Sequence, residues 1–196
     1  MSKLIFVLGL LAAVCGCVAK TDVVTYDLTQ RSGLYVLGYT TDENIRRAIE
    51  DQLVADIQSR DMQAYPSYVE LPVLLETTRE GLLAAANAKN ALSVLVVNQV
   101  MPGKDGVIQN PLRVTPEHPD LASFYEYTKS VERNFNPRSE VFAEVNAFLI
   151  QGDTARLIWS GTTWSFDADG KGGAISGMSG NIATELSEIR DALQRR

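Results

Sequence analysis

Few residues of this chain are placed to do chemistry. Both of its cysteines, Cys15 and Cys17, fall in the stretch VCGC. Such a pair could close a disulfide, ligate a metal or carry a covalent group. A structural zinc takes about four ligands, and the one histidine, His118, is the only other soft ligand. A Ser–His–acid triad would also have to use His118, which stands in the proline-flanked TPEHPD, and no G-x-S-x-G elbow presents a serine. His118 therefore reads as a solvated loop histidine. DADGKGG begins like a calcium loop, but the twelfth position of the loop counted from Asp167 as the first, where a bidentate glutamate belongs, is Met178. GAISGMSGN could cradle a phosphate before a helix, yet the Walker pattern is missing. The stretch reads as a flexible connection into the last helix. Glu50 and Asp51 are neighbours in sequence, and on a helix such neighbours do not face one another. No metal, cofactor or catalytic residue is expected. A glycan or lipid hydrolase using two carboxylates at a fixed separation in a cleft stays open as an alternative, because spacing along the chain does not reveal it.

The elements that must position these residues follow from hydropathy. Leu34–Tyr39 is a continuous apolar run, as in a strand buried on both faces. Thr41 or Asp42 can cap the segment after it. There Ile45, Ile49, Leu53 and Ile57 recur every four residues, with Ala48 beside them, and predict an amphipathic helix ending near Arg60. Arg46, Arg47, Glu50, Asp51 and Asp56 make its opposite, solvated face. MQAYPSY predicts a short strand, at an edge because of Pro66. TREGLLAAANAKN predicts a second helix, weakened by Gly81. ALSVLVVNQV is the clearest strand and should be central. In EVFAEVNAFLI, residues Val141, Ala143, Val145, Ala147 and Leu149 share one face. QGDT supplies a turn and ARLIWSGTTWSF alternates again, which together predict a β-hairpin. Trp159 and Trp164, five apart, should point to opposite faces, one of them into the core. Ile182, Leu186, Ile189 and Leu193 outline a terminal helix. The expected fold is α/β (α+β): a single layered sandwich, βαβαβ followed by a β-hairpin and a C-terminal helix.

The amino end decides the address. Met1, Ser2 and Lys3 precede an apolar run from Leu4 to Gly16. That is shorter than the roughly 20 residues that cross a bilayer, and it has the layout of a secretory signal. Val14, Cys15, Gly16 and Cys17 resemble the lipobox of bacterial lipoproteins. The resemblance implies cleavage before Cys17 and a diacylglycerol, with acyl chains such as palmitate, on its sulfur. The expected organisation is a signal peptide at 1–16, lipid anchor and tether at 17–32, and one domain at 33–196 with an insertion at 101–139. One acyl chain alone holds a protein only marginally, whereas the several chains of such an anchor hold it firmly. Without an Asp directly after Cys17, resemblance to sorted lipoproteins implies the outer membrane, facing the periplasm. The net charge of −6 becomes −7 when Lys3, the one charged residue of 1–16, leaves. An acidic domain without a basic stripe is a poor nucleic-acid binder.

The insertion 101–139 contains five of the seven prolines and the aromatics Phe124, Tyr125, Tyr127 and Phe135. Long insertions in compact domains are commonly functional, and exposed aromatics favour protein interfaces. These four residues are the expected partner-binding surface, and deleting the insertion should spare folding. They could equally pin the insertion to the domain. The element order behind a lipobox resembles the sandwich domains of the curli-secretion lipoprotein, the penicillin-binding-protein activator lipoprotein and the N-terminal Tol domain. More narrowly, IRRAIEDQLVADIQSRDMQAYPSYVELP is similar to a family of uncharacterised bacterial lipoproteins. There an Arg and an acid open the first helix and a Ser-Tyr pair ends the second strand, here Arg47, Glu50, Ser67 and Tyr68. The resemblance implies a lipid-anchored, non-catalytic binding or assembly accessory of the envelope, with an envelope protein or a second copy as partner. A homo-oligomeric scaffold is the alternative.

Overall fold

The computed structural model describes residues 33–40, 42–99, 120–123, 140–166 and 173–194. In chain order these form β1 (Gly33–Tyr39), α1 (Glu43–Gln58), β2 (Gln63–Pro66), 3-10 turns at Ser67–Val69 and Leu74–Glu76, α2 (Arg79–Ala88), β3 (Ser93–Gln99), β4 (Glu140–Gln151), β5 (Thr154–Phe166) and α3 (Gly173–Gln194). The five strands form one sheet in the order β2-β1-β3-β4-β5. β1 runs parallel to both β2 and β3, while β3–β4 and β4–β5 are antiparallel. The expected α/β sandwich with its hairpin and C-terminal helix is what the chain adopts.

Both faces of the sheet are covered, which is why β1 and β3 are apolar without alternation. On one face Val36, Leu95, Val97, Ala143 and Val145 pack under α1 and α3. On the other, Tyr35, Leu37, Val94, Val96 and Phe148 pack with Leu82, Leu83 and Ala86 of α2. Leu121 joins this second core and is 1 % exposed, and Asp120 bridges to Arg156 of β5. The insertion therefore contributes to the core at this point.

Local chemistry sets the element ends. Asp42, rather than Thr41, caps α1: its Oδ1 accepts from the N–H groups of Asn44 and Ile45 at 2.9 and 3.2 Å. Thr78 caps α2 by accepting from Gly81 N–H at 3.1 Å. The β4–β5 hairpin turns at Gly152, whose φ of +62° favours glycine. Arg190 donates to the Arg60 carbonyl, and Arg60 to Thr184 Oγ1, tying α3 to the end of α1.

Three expectations change. GAISGMSGN is the start of α3 rather than a flexible connection. Its small residues let the helix approach β5: a Cβ on Gly177 would collide with Ser165 Oγ, and Ala174, Met178 and Ser179 are buried. Alternation in β5 is broken by a bulge, because Ala147 pairs with Trp159 but Phe148 pairs with Leu157. Ile158 and Trp159 thus both pack toward the α1–α3 side. Trp159 lies half-buried across Gly161, where a Cβ would come within 2.8 Å of its ring. Finally, the polar face of α1 is not uniformly solvated. Arg46 and Glu50 are buried, and Ala48 is exposed.

Candidate functional site

The most unusual chemistry among the described residues lies where β1 hands over to α1. Gly38, one residue before the end of β1, has no side chain to hold α1 away. A Cβ there would come within 3.2 Å of the Arg46 carbonyl oxygen and 3.4 Å of Glu50 Cγ. The first two turns of α1 can therefore lie directly over the strand. They bring Arg46 and Glu50, four residues apart, against the sheet with no solvent exposure at either side chain. Ser67, in the turn after β2, completes the cluster and is also fully buried.

The hydrogen bonds close on one another. Glu50 Oε1 accepts from Arg46 Nε at 2.9 Å, from Ser67 Oγ at 2.8 Å and from Gly38 N–H at 2.9 Å. Its Oε2 accepts from Tyr68 N–H at 2.9 Å. Arg46 also donates to Ser67 Oγ at 2.9 Å and reaches Glu43 at 3.3 Å. Glu43 in turn accepts from Leu74 N–H at 3.2 Å. One carboxylate thus ties together β1, α1 and the segment after β2. Buried charges are tolerated when paired and hydrogen-bonded in this way. Burial pushes the Glu50 carboxyl above the ordinary carboxylate range, while Arg46 and the donors of Gly38, Tyr68 and Ser67 pull it down.

A second chain of contacts runs outward. The Tyr35 hydroxyl shares its proton between the Ser67 carbonyl at 3.3 Å and Glu70 Oε2 at 3.2 Å, and Glu70 pairs with Lys89 at 2.6 Å. Burial first, then the Glu70 carboxylate, raises the Tyr35 phenol above its ordinary value of 10.0.

The constellation resembles an activated serine, since Ser67 Oγ donates to a carboxylate. Ser67, Glu50 and Arg46 are fully buried, and each is occupied by the others. What the cluster does is fix the backbone around it. On the outside of that backbone Tyr68 packs under Arg47, whose guanidinium carbon is 5.3 Å from the ring centroid, and bonds Asp51 at 2.7 Å. Beside it stand the exposed aliphatics Val69 and Val73, 59 % and 45 % accessible.

Of Arg47, Glu50, Ser67 and Tyr68, the structure brings Glu50 and Ser67 together, but the buried arginine is Arg46. Arg47 lies outside and rides on Tyr68. Nothing in the order RR distinguishes the two. The usable signal is the spacing from Glu50, four residues for Arg46 and three for Arg47, together with Gly38 in an otherwise bulky strand. Cys17, Phe124, Tyr125, Tyr127, Phe135 and His118 lie outside the described residues. No group of three or more metal-ligating side chains converges among the described residues.

No protein-family model matches the chain, and no curated protein does. Solved structures similar to it include a PelC dodecamer from Paraburkholderia phytofirmans, at 12 % identity and a TM-score of 0.47, covering 89 % of this chain and 98 % of that one. They also include the hypothetical protein CT253 from Chlamydia trachomatis, at 10 % identity and a TM-score of 0.41, covering 84 % and 99 %. A third is the lipoprotein GNA1162 from Neisseria meningitidis, at 11 % identity and a TM-score of 0.38, covering 80 % and 99 %.

Proposed function

We propose that this chain is a lipid-anchored envelope protein, held through Cys17 in an outer membrane and facing the periplasm, that works by binding a protein partner rather than by catalysis. The observation that supports this reading is the disposition of the Arg46–Glu50–Ser67 cluster. Its reactive groups are spent inside the molecule, and their effect is to hold an exposed surface, Tyr68, Val69 and Val73, in one conformation. Rigid tyrosine and arginine groups are the usual anchors of protein interfaces. Phe124, Tyr125, Tyr127 and Phe135 are proposed as a second contact region. An anchored domain is confined near its partner, so modest contacts suffice.

The test is photo-crosslinking in intact cells from Val69, Tyr125 and, as control, the exposed Glu188 of α3. Capture of one distinct envelope protein from Val69 or Tyr125, and not from Glu188, supports the reading. Capture of the same chain moves the conclusion to a homo-oligomeric scaffold. The absence of any adduct from both positions overturns protein binding at these surfaces.

A further inference from the structure

We propose that the carboxyl end of β3 carries a second site, for a small uncharged ligand that both donates and accepts hydrogen bonds, held by Asn98 and Asn146 beside Glu144. All three side chains are fully buried. On the α2 side of the sheet, β3 presents Val94, Val96 and then Asn98, while β4 presents Phe148, Asn146 and Glu144. This face therefore turns from apolar to polar toward the carboxyl end of β3. Asn98 is paired across the ladder with Glu144 on one side and Tyr39 on the other. Asn146 Nδ2 donates to Glu144 Oε1 at 2.9 Å.

The unpaired atoms of the two asparagines define the ligand. Both Nδ2 and Oδ1 of Asn98 lack a partner, as does Oδ1 of Asn146. Glu144, Ser160 and Tyr39, near these atoms in the ladder, have partners of their own. Leaving a buried polar group unmade costs about 1–3 kcal/mol, and native interiors satisfy nearly all such groups. Buried Ser93 and Ser179 also keep unpaired hydroxyls, but each is alone, one at the start of β3 and one on α3. Asn98 and Asn146 are diagonal neighbours on one face. Together they offer two acceptor oxygens and one amide donor. The complement is a group that both donates and accepts, a hydroxyl or a primary amide. The Glu144 carboxyl disfavours an anion.

The position agrees with this. β1 feeds α1 on one face of the sheet, and β3 is reached through α2 on the other, with β1 and β3 adjacent and parallel. Asn98 thus lies at the carboxyl ends of two adjacent parallel strands, the side of open α/β sheets on which ligands bind. Asn98 stands there, opposite Tyr39.

The test uses the full chain in detergent micelles, with millimolar acetamide and glycerol as separate probes for the amide and hydroxyl classes. The readouts are the 15N side-chain amide signal of Asn98, assigned by its loss in Asn98→Leu, and the melting temperature. A saturable shift of that signal by either probe, with a rise in melting temperature weakened roughly tenfold or more in Asn98→Leu, is the expected result and identifies the class. A wild-type signal unmoved by both probes overturns the proposal and leaves ordered water as the filling. Equal stabilisation of wild type and Asn98→Leu also overturns it, because the probes then act on the whole surface. If Asn98→Leu does not fold, Asn98→Ser gives the same comparison.

Discussion

At the scale of single residues, the stability of the β1–α1–β2 unit is concentrated in one carboxylate. Glu50→Ala leaves Arg46 buried with the half-exposed Glu43 as its counter-charge, and should lower the unfolding free energy in urea by about 3–5 kcal/mol. Replacing a whole buried ion pair by apolar residues is often harmless, but here Arg46→Met with Glu50→Leu should not restore stability. The N–H groups of Gly38 and Tyr68 both end on Glu50, and the double substitution orphans them at about 1–3 kcal/mol each. Tyr35 gives a pH signature. Its folded-state pKa is raised, so its contribution is complete below the unfolded value of 10.0 and is lost as pH rises from there toward the folded value. Unfolding free energy measured above pH 10 should fall more steeply in the wild type than in Tyr35→Phe. Little of this was legible in the sequence. An Arg and a Glu four apart on a helix describe a solvated surface pair far more often than a buried one, and only the glycine opposite them distinguishes the two. Asn98 and Asn146 gave no sign either, since an asparagine in a strand has no periodic partner to reveal it.

At the scale of elements, legibility was greater, because hydropathic period and capping chemistry are local. The 45/49/53/57 spacing, Thr78 ahead of a helix, the edge position of Pro66 and the hairpin about Gly152 all stand as the residues imply. The failure at GAISGMSGN has a physical cause. Glycine weakens a helix by about 1 kcal/mol relative to alanine, so glycines at 173, 177 and 180 read locally as a loop. Tertiary packing reverses that preference at Gly177, where the helix needs the space. Gly177→Ala should therefore destabilise the chain by about 1–3 kcal/mol, in spite of its better helix propensity. Adding Ser165→Ala, which removes the colliding Oγ, should recover most of the loss in a double-mutant thermal unfolding cycle. The bulge at Ile158 was equally hidden, because its cause is the register of β4 against β5 and not the composition of either strand.

At the scale of the whole molecule, two predictions concern how the domain is held and how it is built. Cys17→Ser should move the chain from the membrane pellet to the soluble fraction, read by fractionation and immunoblot. Retention in the pellet would remove the lipid anchor from the proposal. Deleting 101–139 should abolish cooperative unfolding in thermal melts, because Leu121 leaves the second core and Asp120 leaves the edge of β5.

The short strand β2 has a consequence for how copies of this protein can meet. It forms one border of the sheet, is only four residues long, and ends in a proline that has no N–H to donate. Endless stacking of sheets edge to edge requires each copy to offer a usable border on both sides. Here one border is blunt. Joining through the other can unite two molecules, and then stops. The protein is thereby protected from growing into fibres along its own sheet.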